Sequence, residues 1–239
     1  MTQNDKAPAL LLGSGVLLGL AILGWLLGGA ALKVKQFERS VTVKGLSERE
    51  YPADVVIWPI QFAVAGDELQ ELYGALEDNT ARVRRFLLDQ GVGADEITAS
   101  APALTDRFAQ QFSNQTRPEF RYFAQQTVTV YSENVEAVRT IMAQLSELGK
   151  QGIAFTGEDY RSQTEYLFTR LNAVKPEMIE EATANAREVA QKFAADSNST
   201  LGKIKRATQG QFSVEPRDNN NPQIKKVRVV STVEYYLAD

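Results

Sequence analysis

The chain contains no cysteine and no histidine among its 239 residues. Without cysteine it has no disulfide, no thiolate nucleophile and no cysteine zinc site. Without histidine it lacks the most common general base, the Ser-His-Asp triad and almost every catalytic zinc arrangement. We therefore expect a protein that is not an enzyme. An enzyme working through carboxylate, tyrosine or lysine chemistry is the alternative.

The chain also lacks a strong charge of either sign. It has 26 basic and 30 acidic residues, a net charge of -4, and no basic stretch of the kind that binds nucleic acid. Glu177, Glu180 and Glu181 crowd the start of a predicted helix, where the helix dipole favours acidic side chains facing solvent. The sequence thus predicts no catalytic residue, no metal ligand and no cofactor site.

A long uncharged run extends from Pro8 to Leu32. As a helix rising about 1.5 Å per residue it exceeds about 30 Å, the thickness of a bilayer core. A cleaved signal peptide is the competing interpretation, with Gly29-Gly-Ala-Ala as the cut. The run is too long for that class, and Asp5 offsets Lys6 before it, so we predict a retained anchor. The chain then divides into a tail at 1–7, the anchor at 8–32, a connector at 33–39 and a folded domain at 40–239.

Charge alone leaves the orientation of the anchor open. Lys33, Lys35 and Arg39 follow the run and outnumber Lys6, which favours a cytoplasmic domain. Long domains, however, cross membranes largely regardless of charge.

Four glycines in the anchor are candidate contacts between neighbouring spans. Gly15 and Gly19 stand one helical turn apart, as do Gly24 and Gly28, which is the close-approach pattern of associating membrane helices. The alternative is that glycine is simply common in such helices.

Beyond the anchor, hydrophobic periodicity alternates between strand and helix. Ser40–Lys44 alternates as a strand does, and 45–52 is predicted to be a polar turn. Val55–Val64 is β-rich, but Pro59 requires an edge position or a bulge there. The amphipathic helix that follows ends at Gly91, a residue suited to the left-handed conformation.

The second half of the chain repeats this order of elements. We predict a strand over 160–171, a long helix over Val174–Ala195 with Pro176 in its first turn, and final strands over 201–214 and 225–237. The order strand, long helix, strand, polar loop, strand thus starts near Asp54 and again near Gln163. The predicted fold is α+β, with duplicated strand-helix-strand-strand units whose helices pack on mainly antiparallel sheet.

Two polar loops interrupt the predicted strands, at 109–118 and 217–222. They are candidate contact sites for a ligand or a protein partner. The candidate contact residues are Phe112, Asn114, Arg117, Asn219 and Asn220.

Several short motifs together resemble the SIMPL domain. They are Ser40-Val-Thr-Val-Lys-Gly, Gly91-Val with Asp95-x-Ile97-Thr98, the alanines Ala182, Ala186 and Ala190, and Leu201-Gly202-Lys203-Ile204. The resemblance runs from Ser40 to the C-terminus. This chain departs from the family in the uncleaved anchor that we predict and in lacking the more alanine- and arginine-rich form of the last helix.

The resemblance implies bacterial envelope proteins with a periplasmic domain, some linked to oxidative-stress defence and some known as immunogenic periplasmic proteins. Relatives of that type assemble into rings or channel-like oligomers, and the family supplies no catalytic residue. We therefore expect a homo-oligomer held in the bacterial inner membrane by one helix, with its domain in the periplasm and no nucleic-acid partner. The alternative is a periplasmic ligand- or protein-binding module that acts without oligomerisation.

Overall fold

The structure is a computed structural model that describes residues 6–36, 39–109, 118–157 and 163–238. Its helices and strands follow one another in the order α1 (Lys6–Gln36), β1 (Ser40–Pro52), β2 (Val55–Gly66), α2 (Leu69–Asp89), β3 (Ile97–Ala99), β4 (Ala103–Asp106), β5 (Tyr122–Ser132), α3 (Val135–Met142), α4 (Ser146–Lys150), β6 (Glu165–Leu167), α5 (Leu171–Asp196), β7 (Thr200–Gln209), β8 (Ser213–Pro216) and β9 (Ile224–Ala238). A single 3₁₀ turn, Ala94–Glu96, precedes β3.

The chain divides into two compact units, each formed from separated segments. Unit 1 comprises Met1–Glu48, Lys175–Ser213 and Arg228–Asp239. Unit 2 comprises Arg49–Val174 and Val214–Val227.

Helix α1 has the length and composition of a membrane span. Its apolar window is Leu12–Ala30, with a mean hydropathy of 1.8, and none of that window is buried in the described structure. The helix continues to Gln36, beyond the predicted end of the span at Leu32. Only residues 37–39 therefore separate it from β1.

Unit 2 is an antiparallel sheet covered by α2. The strand order is β3-β5-β2-β6, with β4 also pairing β5. The long pair β2 and β5 runs in register from Val56 opposite Ser132 to Gly66 opposite Tyr122. Alternate residues of β2 meet the apolar face of α2 in one core, whose members include Val56, Trp58, Ile60, Phe62, Leu72, Leu76, Val83 and Leu87. The apolar face of β2, with every second residue, and the apolar face of α2, with a residue every three or four positions, thus pack against each other as the sequence predicts.

Local signals in unit 2 mostly behave as predicted. Gly91 has φ +91°, in the left-handed region, where it follows α2. The Asn134 side chain accepts a hydrogen bond from the Ala137 N–H at 3.2 Å and caps α3. Pro59 lies where β2 has no strand on its second side among the described residues, because β6 pairs only as far as Ile57. A missing N–H costs nothing at such a position.

Unit 1 places α5 against the sheet formed by β1, β9 and β7, to which β8 is added beside β9. One stripe of α5 is fully buried: Met178, Ala182, Ala186, Ala190 and Ala194. The sheet residues beneath it include Val43, Val233 and Tyr235. The small alanine side chains let the helix axis approach the sheet closely.

The duplication is confirmed in the element order and in the sheet topology. The order β2-α2-β3-β4-β5 recurs as β6-α5-β7-β8-β9. The last strand of each set pairs with the two strands before it. One long helix packs on each sheet, α2 in unit 2 and α5 in unit 1, and α3 and α4 add to the core of unit 2. In the second set, however, the strand beside β9 is β1 from the start of the domain, whereas in the first set β2 itself lies beside β5.

Two predicted elements are wrong. Residues 45–52 are not a turn but continue β1 to Pro52, since Gly45 and Ser47 face α5 as buried strand residues. Within the described part of 160–171, only Glu165–Leu167 is strand, and α5 already begins at Leu171. Pro176 consequently lies inside α5 and not in its first turn.

Candidate functional site

The predicted glycine contacts lie on the bare surface of α1. A Cβ atom added at Gly15, Gly19, Gly24 or Gly28 would meet nothing within 4 Å. Because an α-helix turns about 100° per residue, the pair Gly15 and Gly19 faces roughly opposite to the pair Gly24 and Gly28. The helix thus offers a patch suited to close approach on each of two sides.

The first candidate loop falls mostly outside the described residues, and so do Phe112, Asn114 and Arg117. Its stem is described. The Arg121 guanidinium donates to the Asp106 carboxylate at 3.0 Å, and this bond holds the pKa of Asp106 below its usual range although desolvation opposes it. Asp106 also accepts from the Phe108 N–H at 3.0 Å, and Asp67 accepts from the Arg121 N–H at 2.9 Å. Both ends of the loop are therefore fixed to the sheet.

The second candidate loop is organised by Asp218. Its carboxylate accepts hydrogen bonds from the Asn220 N–H at 2.9 Å and the Asn221 N–H at 2.8 Å. Arg217 donates to the same carboxylate at 2.8 Å and lowers the pKa of Asp218. The candidate residues Asn219 and Asn220 are both exposed. This aspartate was missed in the sequence analysis, although an Asp at the start of an Asn-rich turn is a typical Asx-turn signal.

The prediction that Glu177, Glu180 and Glu181 lie at a helix start is wrong, because α5 begins at Leu171 and has no acidic residue in its first turn. Glu181 has a structural partner instead. Glu181 accepts a hydrogen bond from the buried Ser47 hydroxyl at 2.9 Å, which ties α5 to β1. One turn further on, the Asn185 side-chain amide donates to the Leu46 carbonyl at 2.8 Å. Within the described ranges, no three His, Cys, Asp or Glu side chains are grouped closely enough to hold a metal ion.

Lys225 is a buried lysine that the sequence analysis did not single out. It is 7% exposed on the inward face of β9, and burial lowers the pKa of its ammonium group against the opposing attraction of Glu165. The burial of Lys225 could have been predicted from the period-two pattern of β9, because Lys225 shares its face with Val227 and Val229.

Strand β1 forms an open edge of the unit 1 sheet. In the described structure it pairs only with β9. The Leu237 N–H donates to the Arg39 carbonyl and the Ala53 N–H donates to the Gln223 carbonyl, so odd-numbered residues at both ends of β1 direct their backbone groups toward β9. The backbone groups of Thr42 and Lys44 therefore point away from the sheet. The Leu46 carbonyl also points outward but already accepts the Asn185 side-chain amide. The outward groups of Thr42 and Lys44 are a template for pairing with another strand.

Apolar side chains flank this edge. Leu46 is 42% exposed on the face of the sheet opposite α5, and on the α5 side Val189 and Phe193 are 36% and 55% exposed. An open strand edge with exposed apolar neighbours on both faces is typical of an association surface.

The family comparison covers the folded part of the chain from β1 into β9. The profile of SIMPL, described as a protein of unknown function (DUF541), matches residues 41–235. The chain belongs to the SIMPL family. No curated protein sequence matches the chain at a significant level.

Two of the short motifs that suggested the resemblance meet in unit 1. A Cβ atom built on Gly45 would overlap the Ala182 carbonyl oxygen and the Ala186 backbone nitrogen, and would lie 2.9 Å from the Ala186 Cβ. Gly45 ends the Ser40–Gly45 motif and the alanines form the other motif. In this chain, Gly45 and the alanines let β1 and α5 come into backbone contact.

Proposed function

We propose that this SIMPL protein is a non-enzymatic, membrane-anchored protein of the bacterial envelope that self-associates. Helix α1 is a retained single span in the inner membrane, and the SIMPL domain lies in the periplasm. The domain assembles with other copies into a ring-like or channel-like oligomer, with a role in envelope or oxidative stress. The observation that carries this proposal is the open edge of β1 with its apolar neighbours.

Two surfaces support association through different parts of the chain. In the folded domain, β1 has no strand on its outer side among the described residues, so the outward backbone groups of Thr42 and Lys44 lack a strand partner. The side chains of Leu46, Val189 and Phe193 are exposed beside this edge. In the membrane, the glycine pairs of α1 lie on two sides of one helix, so a span can contact a neighbour on each side. A molecule with more than one contact surface builds assemblies larger than a dimer.

Native mass spectrometry of detergent-extracted full-length protein tests the proposal. We expect an oligomer for the wild-type chain, and smaller species for Leu46→Lys, because a charge at the edge opposes strand pairing. Leu88→Lys is the matched control, since Leu88 is 43% exposed on α2 and Leu46 is 42% exposed. A wild-type monomer at every concentration, or equal effects of the two substitutions, contradicts the proposal.

A second variant tests the role of the β1 backbone independently of the Leu46 side chain. Lys44→Pro removes an N–H that points away from β9, so the ladder within the sheet stays complete and the domain folds. We expect this variant to have the circular dichroism spectrum of the wild type but a smaller assembly. An unchanged stoichiometry would show that the β1 backbone takes no part in association.

The binding-module alternative has one observation in its favour. Asn219 and Asn220 are exposed on a loop that Asp218 holds in a fixed conformation, which suits recognition of a partner. If that alternative is correct, Asn219→Ala with Asn220→Ala removes a co-purifying ligand or partner from an unaltered monomer. If the oligomer forms and nothing is lost on this substitution, the alternative is dismissed.

A further inference from the structure

The short connector fixes which end of unit 1 is nearest the membrane. From Ala30, the end of the apolar window, six helical residues and then residues 37–39 lead to Ser40. At about 1.5 Å per helical residue and at most about 3.5 Å per residue beyond the helix, Ser40 lies within about 23 Å of the hydrocarbon core. The start of β1 is therefore adjacent to the lipid headgroups, provided that α1 is the retained span proposed above.

The start of β7 lies at this same end of unit 1. The Arg39 carbonyl accepts from the Leu237 N–H at 2.8 Å, and its guanidinium donates to the Ser199 hydroxyl at 3.4 Å. The Thr200 hydroxyl donates to the Ala238 carbonyl at 3.2 Å. From Thr200, β7 leads away from the connector for about 30 Å, at about 3.3 Å per residue.

Strand β7 is exposed along almost its whole length. Its sequence TLGKIKRATQ contains three basic residues and no acidic one, and every residue except Leu201 is exposed. Register shifts interrupt its pairing with β9 between Leu201 and Ile204 and again between Ile204 and Arg206. Bulges and lysines on an edge strand are devices that prevent pairing with another strand. We therefore expect the exposed surface of β7 to contact a partner other than a strand.

The neighbourhood of β7 combines basic and apolar side chains. Ile204 and Tyr236 are 43% and 40% exposed, and the Lys205 ammonium lies 5.7 Å from the centre of the Tyr236 ring. Glu234 pairs with Lys205 at 3.0 Å and offsets one of the three positive charges. Lysine and arginine beside tyrosine at a bilayer surface are the composition of interfacial protein segments.

We propose that β7 lies along the membrane and binds anionic lipid headgroups through Lys203, Lys205 and Arg206, with Tyr236 and Ile204 at the interface. The inference rests on the anchoring of α1 but is independent of self-association. The connector keeps β7 close to the lipid at a high effective concentration, so individually weak contacts are sufficient. The partner is the surface of the bilayer in which α1 is embedded.

The absence of cysteine allows a direct distance test on the full chain. A fluorescent label is attached to Thr208→Cys, near the far end of β7, or to Ala184→Cys, an exposed site on α5. Both sites lie well away from the connector, the second about 18 Å along α5 from Asp196. The protein is placed in nanodiscs whose headgroups carry a quencher, made of phosphatidylcholine with or without phosphatidylglycerol.

We expect stronger quenching at Thr208 than at Ala184 in the anionic nanodiscs, and loss of that difference in the neutral ones or at high salt. The triple variant Lys203→Gln, Lys205→Gln, Arg206→Gln also loses the difference. The matched triple variant Arg82→Gln, Arg84→Gln, Arg85→Gln changes three exposed arginines of α2. We expect it to keep the difference in quenching.

Each other outcome overturns the inference. Equal quenching at the two sites means that the domain stands away from the bilayer. Equal effects of the two triple variants mean that the overall positive charge of the domain, and not β7, causes the difference in quenching. Failure of the chain to remain in nanodiscs removes the anchor as well, which distinguishes the loss of the proposed function from the loss of this contact.

Discussion

Gly45 shows how a single residue determines the packing of unit 1. Glycine weakens a strand by its flexibility and by the absence of a side chain to pack. Here the missing side chain is the useful property, because the backbone of α5 occupies the space that a Cβ atom would need. The buried alanines on α5 are the matching half of the same contact.

We predict that Gly45→Ala destabilises the domain by about 1–3 kcal/mol or more, the usual cost of overpacking. Gly74→Ala is the matched control, since Gly74 lies on α2 with nothing within 4 Å of an added Cβ. Removing a helical glycine there should stabilise the protein by about 0.5–1 kcal/mol. Urea unfolding of the detergent-solubilised chain measures both. Equal midpoints for Gly45→Ala and the wild type would disprove the close contact.

At the scale of elements, one carboxylate positions the start of α5. Asp54 follows β1 and accepts hydrogen bonds from the Thr169 N–H at 2.8 Å and the Arg170 N–H at 3.2 Å. The Arg170 side chain adds a bond at 3.0 Å. Burial raises the pKa of Asp54, but these hydrogen bonds outweigh that effect and the net pKa lies below its usual value.

The direction of this pKa shift predicts a pH dependence. The ionised Asp54 stabilises the fold fully above the unfolded-state pKa of about 3.9, and this contribution is lost as the pH falls through the lower folded-state pKa. Asp54→Asn should therefore cost about 1–2 kcal/mol near neutral pH. The difference from the wild type should shrink as the pH falls below about 4. A difference that is constant from pH 7 to pH 3 would rule out a role for the carboxylate charge.

Elements with a continuous apolar pattern were predictable from the sequence. Helix α2 and strands β5 and β9 bury large side chains at regular intervals, so periodicity alone located them. Strand β1 was cut short because its buried positions Gly45 and Ser47 carry no apolar side chain, and their strand role depends on α5. Strand β6 was overextended because the bonds from Thr169 and Arg170 to Asp54, which end it, join residues far apart in sequence. The open edge of β1 is likewise a property of strand order, which no local pattern reveals.

For the molecule as a whole, the duplicated topology and the anchor explain where association surfaces arise. Each set of strands has one central strand, β5 or β9, that pairs with the two strands before it and with one long strand, β2 or β1. In unit 1 the long strand is β1, which begins a few residues after the apolar helix α1 and has an open edge among the described residues. In the anchored protein that we propose, copies in one membrane would present this edge to one another in two dimensions, at a raised effective concentration.

The proposal that the protein is retained in the membrane and self-associates is tested most directly by the intact mass and stoichiometry of full-length protein extracted from its native membrane. Native mass spectrometry should detect an oligomer built from polypeptides that retain α1. A monomer at all concentrations, or a mature polypeptide that begins after Ala31, would contradict the proposal that an anchored SIMPL domain acts by assembly.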